Sequence, residues 1–196
     1  MKVLFVTLLV MLLLSGLVTL LVSFKYGNIE TPQYKVVKTI GAIEIRQYPK
    51  MVVAQTKLPD ADMDKSMSIG FQTIAGYIFG GNTNNQKIPM TAPVVVKMAD
   101  TATMYFVMPG QYKKEDLPKP KSESVQLSEE DEKTLAVITY SGYSSDEKIA
   151  LYSKKLQSEL VQHNIQTVGA FIYMGYNAPW DIINRRNEVA IELVLN

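Results

Sequence analysis

Residues 62–96, DMDKSMSIGFQTIAGYIFGGNTNNQKIPMTAPVVV, decide how the chain folds. Met63, Met67, Phe71, Ile74 and Ile78 recur at the three-and-four spacing of a single helix face, while Lys65, Ser68 and Gln72 point elsewhere. Asp62 is suited to cap the helix N-terminus, and Asp64 sits where the helix dipole favours a negative charge. Gly80 and Gly81 end the helix, because glycine enters the left-handed conformation without a steric penalty. Asn82, Asn84 and Asn85 supply a turn. Pro89 and Pro93 then bracket the start of an apolar strand expected over 90–98.

Working outward, residues 35–39, 43–48 and 51–57 read as strands before this helix, with Ile43 and Ile45 alternating with Glu44 and Arg46. A strand at 103–108 follows it, and then a polar loop at 110–121 with Pro118 and Pro120. The pattern then starts again, with strands at 124–127 and 134–140. Ser144 and Glu147 have the spacing of a capping box, and they open a second helix with the apolar face Ile149, Tyr152, Leu156 and Leu160. Asn164 fits its end, and strands at 168–176 and 188–195 close the chain. The order strand, helix, strand, strand thus occurs twice, offset by roughly 80 residues. The expected class is α+β, with two helices lying against one strongly curved antiparallel sheet.

Net charge is +1, with 20 Lys+Arg against 19 Asp+Glu, so no basic excess favours a nucleic acid partner. The chain has no cysteine, which removes disulfides, thiolate catalysis, Cys-ligated zinc and covalent c-type heme attachment. Residues 3–24 carry no charge and are rich in Leu and Val. This segment is long enough to cross a bilayer, which takes ~20 residues. A cleaved signal peptide competes with an uncleaved anchor. The core is longer than the ~7–15 residues of a signal peptide and no Ala-x-Ala site follows, which favours the anchor. The expected organisation is a membrane anchor or signal segment at 1–26, a linker at 27–33 and one domain at 34–196. The domain is expected on the exported side, periplasmic or extracellular, of a single-pass anchor.

AGYIFGGN at 75–82 followed by KIPMTAPV at 87–94 resembles the signature of the SOUL heme-binding protein family. IEIRQYP at 43–49, YFVMP at 105–109, LPKP at 117–120, YNAPW at 176–180 and RRNEV at 185–189 fall in the matching order. The resemblance covers roughly residues 34–195 and implies a distorted β-barrel flanked by two helices, with heme or a related tetrapyrrole as ligand.

Several residues offer chemistry for such a ligand. Met63, Met67 and Phe71 form an adaptable apolar surface, and a thioether can ligate heme iron; equally, this stripe can be the core face of its helix. Gly70 beside it invites close approach by a sheet or by a flat ligand. Arg185, Arg186 and Lys87 are candidates for the propionates, with local pairing to Glu188 or a loop carbonyl as the competing role for the arginines. His163 is the only histidine and sits where a helix C-terminus attracts a cation, so a structural role is expected and an axial one is the alternative. Tyr176 and Trp180 either line a cleft or pack a loop. A buried Glu44, Glu188 or Glu192 would suit a cationic ligand. A binding module for another hydrophobic or cationic small molecule is therefore a second expectation. A hydrolase is a third, though no Gly-x-Ser-x-Gly elbow is present.

Overall fold

The computed structural model describes residue 11 and residues 29–59, 62–178, 181 and 183–194. The anchor expected at 3–24 lies outside these residues, Met11 apart, and among the described residues no helix is long and apolar enough to cross a membrane. The elements are β1 (Lys35–Ile40), β2 (Ile43–Tyr48), β3 (Met51–Lys57), α1 (Met63–Ile78), β4 (Val94–Lys97), β5 (Thr103–Val107), β6 (Gln126–Glu130), β7 (Lys133–Ser141), α2 (Asp146–Gln162), β8 (Thr167–Gly175) and β9 (Arg186–Leu193). A 3-10 turn at Lys114–Asp116 interrupts the polar loop.

All the strands join one antiparallel sheet of nine, in the order β1-β2-β7-β9-β8-β4-β5-β3-β6. The order is symmetric about the β8–β4 pairing once the edge strand β1 is set aside, so the internal repeat is real in three dimensions. It carries an exchange: β2 pairs with β7 of the later half, and β6 pairs with β3 of the earlier half. α1 packs on β3 and β5, and α2 on the equivalent β7 and β9.

The expected barrel is not formed, because β1 and β6 end the sheet without pairing to each other. β1 is exposed along nearly its whole length, carries Lys35 and Lys38, and shifts register between Val36 and Lys38. Charge and a bulge are devices that keep an edge strand from pairing further. The sheet still curls strongly. Glu130 on β6 accepts from Lys97 on β4, at 2.9 Å to each carboxylate oxygen, and is also bonded by Lys133 at the start of β7.

Strand alternation divides the core between the two faces of the sheet. The convex face packs under the helices, with Ile43, Ala54, Ile74, Phe106, Leu156 and Val189 among its buried residues. The concave face holds Tyr48, Val53, Val95, Tyr105, Leu135, Met174 and Ala190. β4 is shorter than the strand expected over 90–98. Pro93 has no N–H to give to a ladder, and Thr91 instead spends its hydroxyl on the Val107 carbonyl at 2.5 Å.

Candidate functional site

On the helix side, α1 is built as its sequence requires. The Asp62 carboxylate accepts from the Lys65 amide at 2.9 Å. At the other end Gly80 has φ 113°, and the Gly81 amide donates to the Gly76 carbonyl at 2.8 Å. A Cβ on Gly81 would lie 2.5 Å from that carbonyl oxygen, so only glycine fits. The wholly buried Asn82 donates to the carbonyls of Tyr77 and Gln86, at 3.0 and 2.8 Å, and accepts from the Gln86 amide. Tyr77 donates its hydroxyl to the Pro118 carbonyl at 3.0 Å, which ties the helix to the LPKP loop.

Met63, Met67 and Phe71 are half-buried on α1. Met67 and Phe71 lean on the convex core, with the Phe71 and Phe106 rings 5.4 Å apart. Gly70 serves the sheet: a Cβ there would meet Leu58 Cδ2 at 2.3 Å and Met104 Sδ at 3.3 Å. Ile69 and Phe79 add exposed apolar surface along the same helix.

The N-termini of α1 and α2 lie near enough for their carboxylates to act on one another. The Asp146 carboxyl is raised above its ordinary pKa, by desolvation first and then by the charges of Asp64, Glu147 and Asp62. α2 is capped by Ser145, whose hydroxyl accepts from the Lys148 amide at 3.3 Å, and not by the expected Ser144. The Ser144 hydroxyl is held by Tyr140 at 2.6 Å. Just before this cap, exposed Tyr143 lies 4.5 Å beneath the Arg185 guanidinium. Arg185 Nη1 donates to the carbonyls of Ala178 and Asp181, at 3.0 and 2.6 Å. Its Nε is buried and meets no acceptor among the described residues.

The remaining candidates lie elsewhere. Lys87 is exposed and bridged to Phe79, beyond the C-terminal end of α1. Sixteen residues of helix put that end about 24 Å from Met63. His163 is the exposed C-cap of α2, and its amide donates to Glu159. Trp180 lies outside the described residues. Glu192 is half-buried, and Glu44 has 40% of its side chain exposed.

Arg186 and Tyr176 belong to the concave face, around a fully buried Glu188. Arg46 grips this carboxylate with both terminal nitrogens, at 2.9 and 3.1 Å, and Arg186 donates to it from Nε and Nη2, at 2.9 and 2.7 Å. Tyr176 and Thr139 donate their hydroxyls, at 2.8 and 3.1 Å. Burial alone would raise the pKa of Glu188; the two guanidiniums override it and hold the group below the ordinary carboxylate range. Tyr34 covers the cluster. Its ring lies 4.4 Å from the Arg46 guanidinium and 5.2 Å from the Tyr48 ring, and its oxygen accepts from Arg186 at 3.2 Å.

The sequence candidates thus divide between two places. Met63, Met67, Phe71 and Arg185 belong to the helix side; Arg186, Tyr176 and Glu188 belong to the concave side. Arg46, Tyr34 and Tyr48 escaped sequence reading. The one signal was that Glu44, Arg46 and Tyr48 share a strand face opposite the apolar Ile43 and Ile45.

A family model described as SOUL heme-binding protein matches residues 29–192. Among curated proteins, Heme-binding protein 2 of Homo sapiens is 29% identical over 174 residues, covering 82% of this chain and 84% of that protein. Heme-binding protein 2 of Mus musculus is 28% identical with the same coverage. Among solved structures, the EcmrR C-terminal domain superposes with TM-score 0.61 at 8% identity, over 83% of this chain and 99% of that one. A hydrolase from Listeria innocua gives 0.55 at 10% identity, over 88% and 96%. At such identities these two show a shared fold and nothing further.

Proposed function

Because the chain belongs to the SOUL heme-binding protein family, we propose that it binds heme or a related tetrapyrrole reversibly, for buffering or carriage, at the N-terminal end of α1. The observation that supports this reading is an unsatisfied guanidinium donor over Tyr143, three residues before Asp146, whose carboxyl in turn feels Asp62 and Asp64 beside the half-buried thioethers. Met63 and Met67 offer an apolar wall, and the buried Nε of Arg185 has no acceptor among the described residues, as a propionate ligand requires. When bound, the heme supplies a flat apolar disc, two carboxylates and an iron open to axial ligands. The carboxylates Asp62, Asp64 and Asp146 repel propionates, so they orient those groups toward Arg185.

The test is heme titration of the full chain and of Met63→Gln, Met67→Gln and Arg185→Gln, read by absorption. Each substitution is expected to weaken binding by roughly tenfold, as loss of ~1.4 kcal/mol would. A Soret band identical to free heme at stoichiometric protein would remove the reading. Unchanged affinity in both methionine variants, with a large fall in melting temperature, would return the stripe to the core.

Residues 3–24 complete the proposal as a single-pass anchor with the domain on the exported side, supported by their length and lack of charge. A second reading, binding of another hydrophobic or cationic small molecule, draws on buried Glu188. A cation there would have to displace Arg46 or Arg186 from the carboxylate.

A further inference from the structure

Three cavities lie along residues 30–34. A pocket of about 260 Å3 is lined by Glu30–Gln33, Met51 and Val107. A chamber of about 20 Å3 lies against Pro32, over Tyr105, Met174 and Tyr176. A third, of about 430 Å3, opens beyond Gln33 and Tyr34. Met51 lines the first two, and Tyr48 and Lys133 line the last two. Residues 30–34 therefore run between neighbouring cavities and separate them.

This strap is fastened at its ends. The Glu30 carbonyl accepts from the Ala92 amide at 2.9 Å, and its carboxylate from the Gly110 amide at 2.7 Å. At the other end Tyr34 makes the contacts a ligand would make: a ring laid on one guanidinium and an oxygen taken by another. We infer that Tyr34 is an internal stand-in, and that the space the strap itself fills, joined to the flanking cavities when the strap lifts, is a binding site for a small aromatic carboxylate, of one or two fused rings.

The ligand class follows from the side chains that Tyr34 covers. Arg46 and Arg186 are two cations against the single wholly buried carboxylate of Glu188, and the second carboxylate on Arg46, Glu44, sits at the rim. Lys133 adds a cation to the wall, paired with Glu130. The floor is apolar and aromatic, with Val95, Tyr105, Val107 and Met174. An anionic oxygen replaces the Tyr34 hydroxyl on Arg186 with a charge-assisted bond, and the ring replaces the phenol on Arg46. Strap and ligand compete for the same contacts, so a docked strap lowers the apparent affinity by the fraction of molecules in which it is closed.

The inference stands apart from the heme reading, which concerns the convex side. Its test uses the full chain in detergent micelles, titrated calorimetrically with 1-naphthoate and with its cationic twin 1-naphthylmethylammonium, each corrected for protein-free micelles. Tyr34→Ala is expected to tighten naphthoate binding by roughly tenfold, and adding Arg186→Gln to abolish the gain. Glu30→Ala loosens the other end of the strap without touching the arginines, and is expected to move affinity the same way. Heme affinity of Tyr34→Ala is expected to be unchanged, so the two sites succeed or fail separately. The inference is overturned if neither strap variant tightens naphthoate, or if the ammonium twin gains as much.

Discussion

Four side chains, Arg46, Arg186, Tyr176 and Thr139, converge on Glu188. Removing one partner of a buried ion pair costs about 3–5 kcal/mol, because the other charge is left without compensation. Glu188→Gln leaves the buried Arg46 with only the part-exposed Glu44 as counter-charge, so a loss of about 3 kcal/mol, the lower end of that range, is expected in urea or thermal unfolding. Since the folded pKa of Glu188 is depressed, its contribution is present above the ordinary carboxylate pKa of 4.5 and is lost as pH falls through the folded value. Unfolding measured from pH 7 to pH 3 should show a steep acid loss, and Glu188→Gln should flatten it. An unchanged acid slope in that variant would mean the charge is not held as the geometry requires. The local half of this cluster, Arg186 on Glu188, was legible as the arginine's competing role; the Arg46 half was not. Arg46 and Glu188 are 142 positions apart, and they meet only because β7 lies between their strands and fixes the register of both.

At the scale of the element, α1 was the most legible part of the molecule. Its apolar spacing, its Asp62 cap and its glycine stop are all local, and the structure has each of them. The second cap was displaced by one residue, and the hydroxyl of Tyr140, four residues earlier, holds Ser144 instead. The two glycines inside α1 separate local from tertiary effects. A Cβ at Gly76 meets nothing within 4 Å, so Gly76→Ala should stabilise by about 0.5–1 kcal/mol through helix propensity alone. At Gly70 the same change drives a methyl into Leu58 and Met104, and should cost about 1–3 kcal/mol. Paired thermal melts would show opposite signs; equal signs would contradict the packing. The site on α1 also bears on His163. It caps the far end of α2, whose 17 residues span about 25 Å from the neighbouring helix N-termini. His163→Ala should therefore leave the absorption of the heme complex unchanged, and loss of a low-spin spectrum would make it the axial ligand.

For the whole molecule, the repeated order of elements disclosed the symmetry but not the partners of each strand. Periodicity says which face a strand buries, and nothing in it says that β2 skips its own half. Nor does it say that the edges stay apart, because that depends on the exposure of β1 and its shifted register. At this scale the anchor is tested by mass spectrometry of the mature protein. A mature protein that keeps residues 3–24 is expected, and an N-terminus beginning after residue 20 would mean that the segment is removed.

The exchange of β2 and β6 makes the two repeats hostages of one another. Neither can complete its sheet from its own stretch of chain, so neither half is self-sufficient. The arrangement has the form of a swap, each half lending a strand to the other. Folding inherits this dependence: the β2–β7 and β3–β6 ladders close long loops and cannot form until both halves are present. A chain severed between β5 and β6 should give two fragments that are unstructured alone and regain the native circular dichroism on mixing. A fragment that folds by itself would break the inheritance.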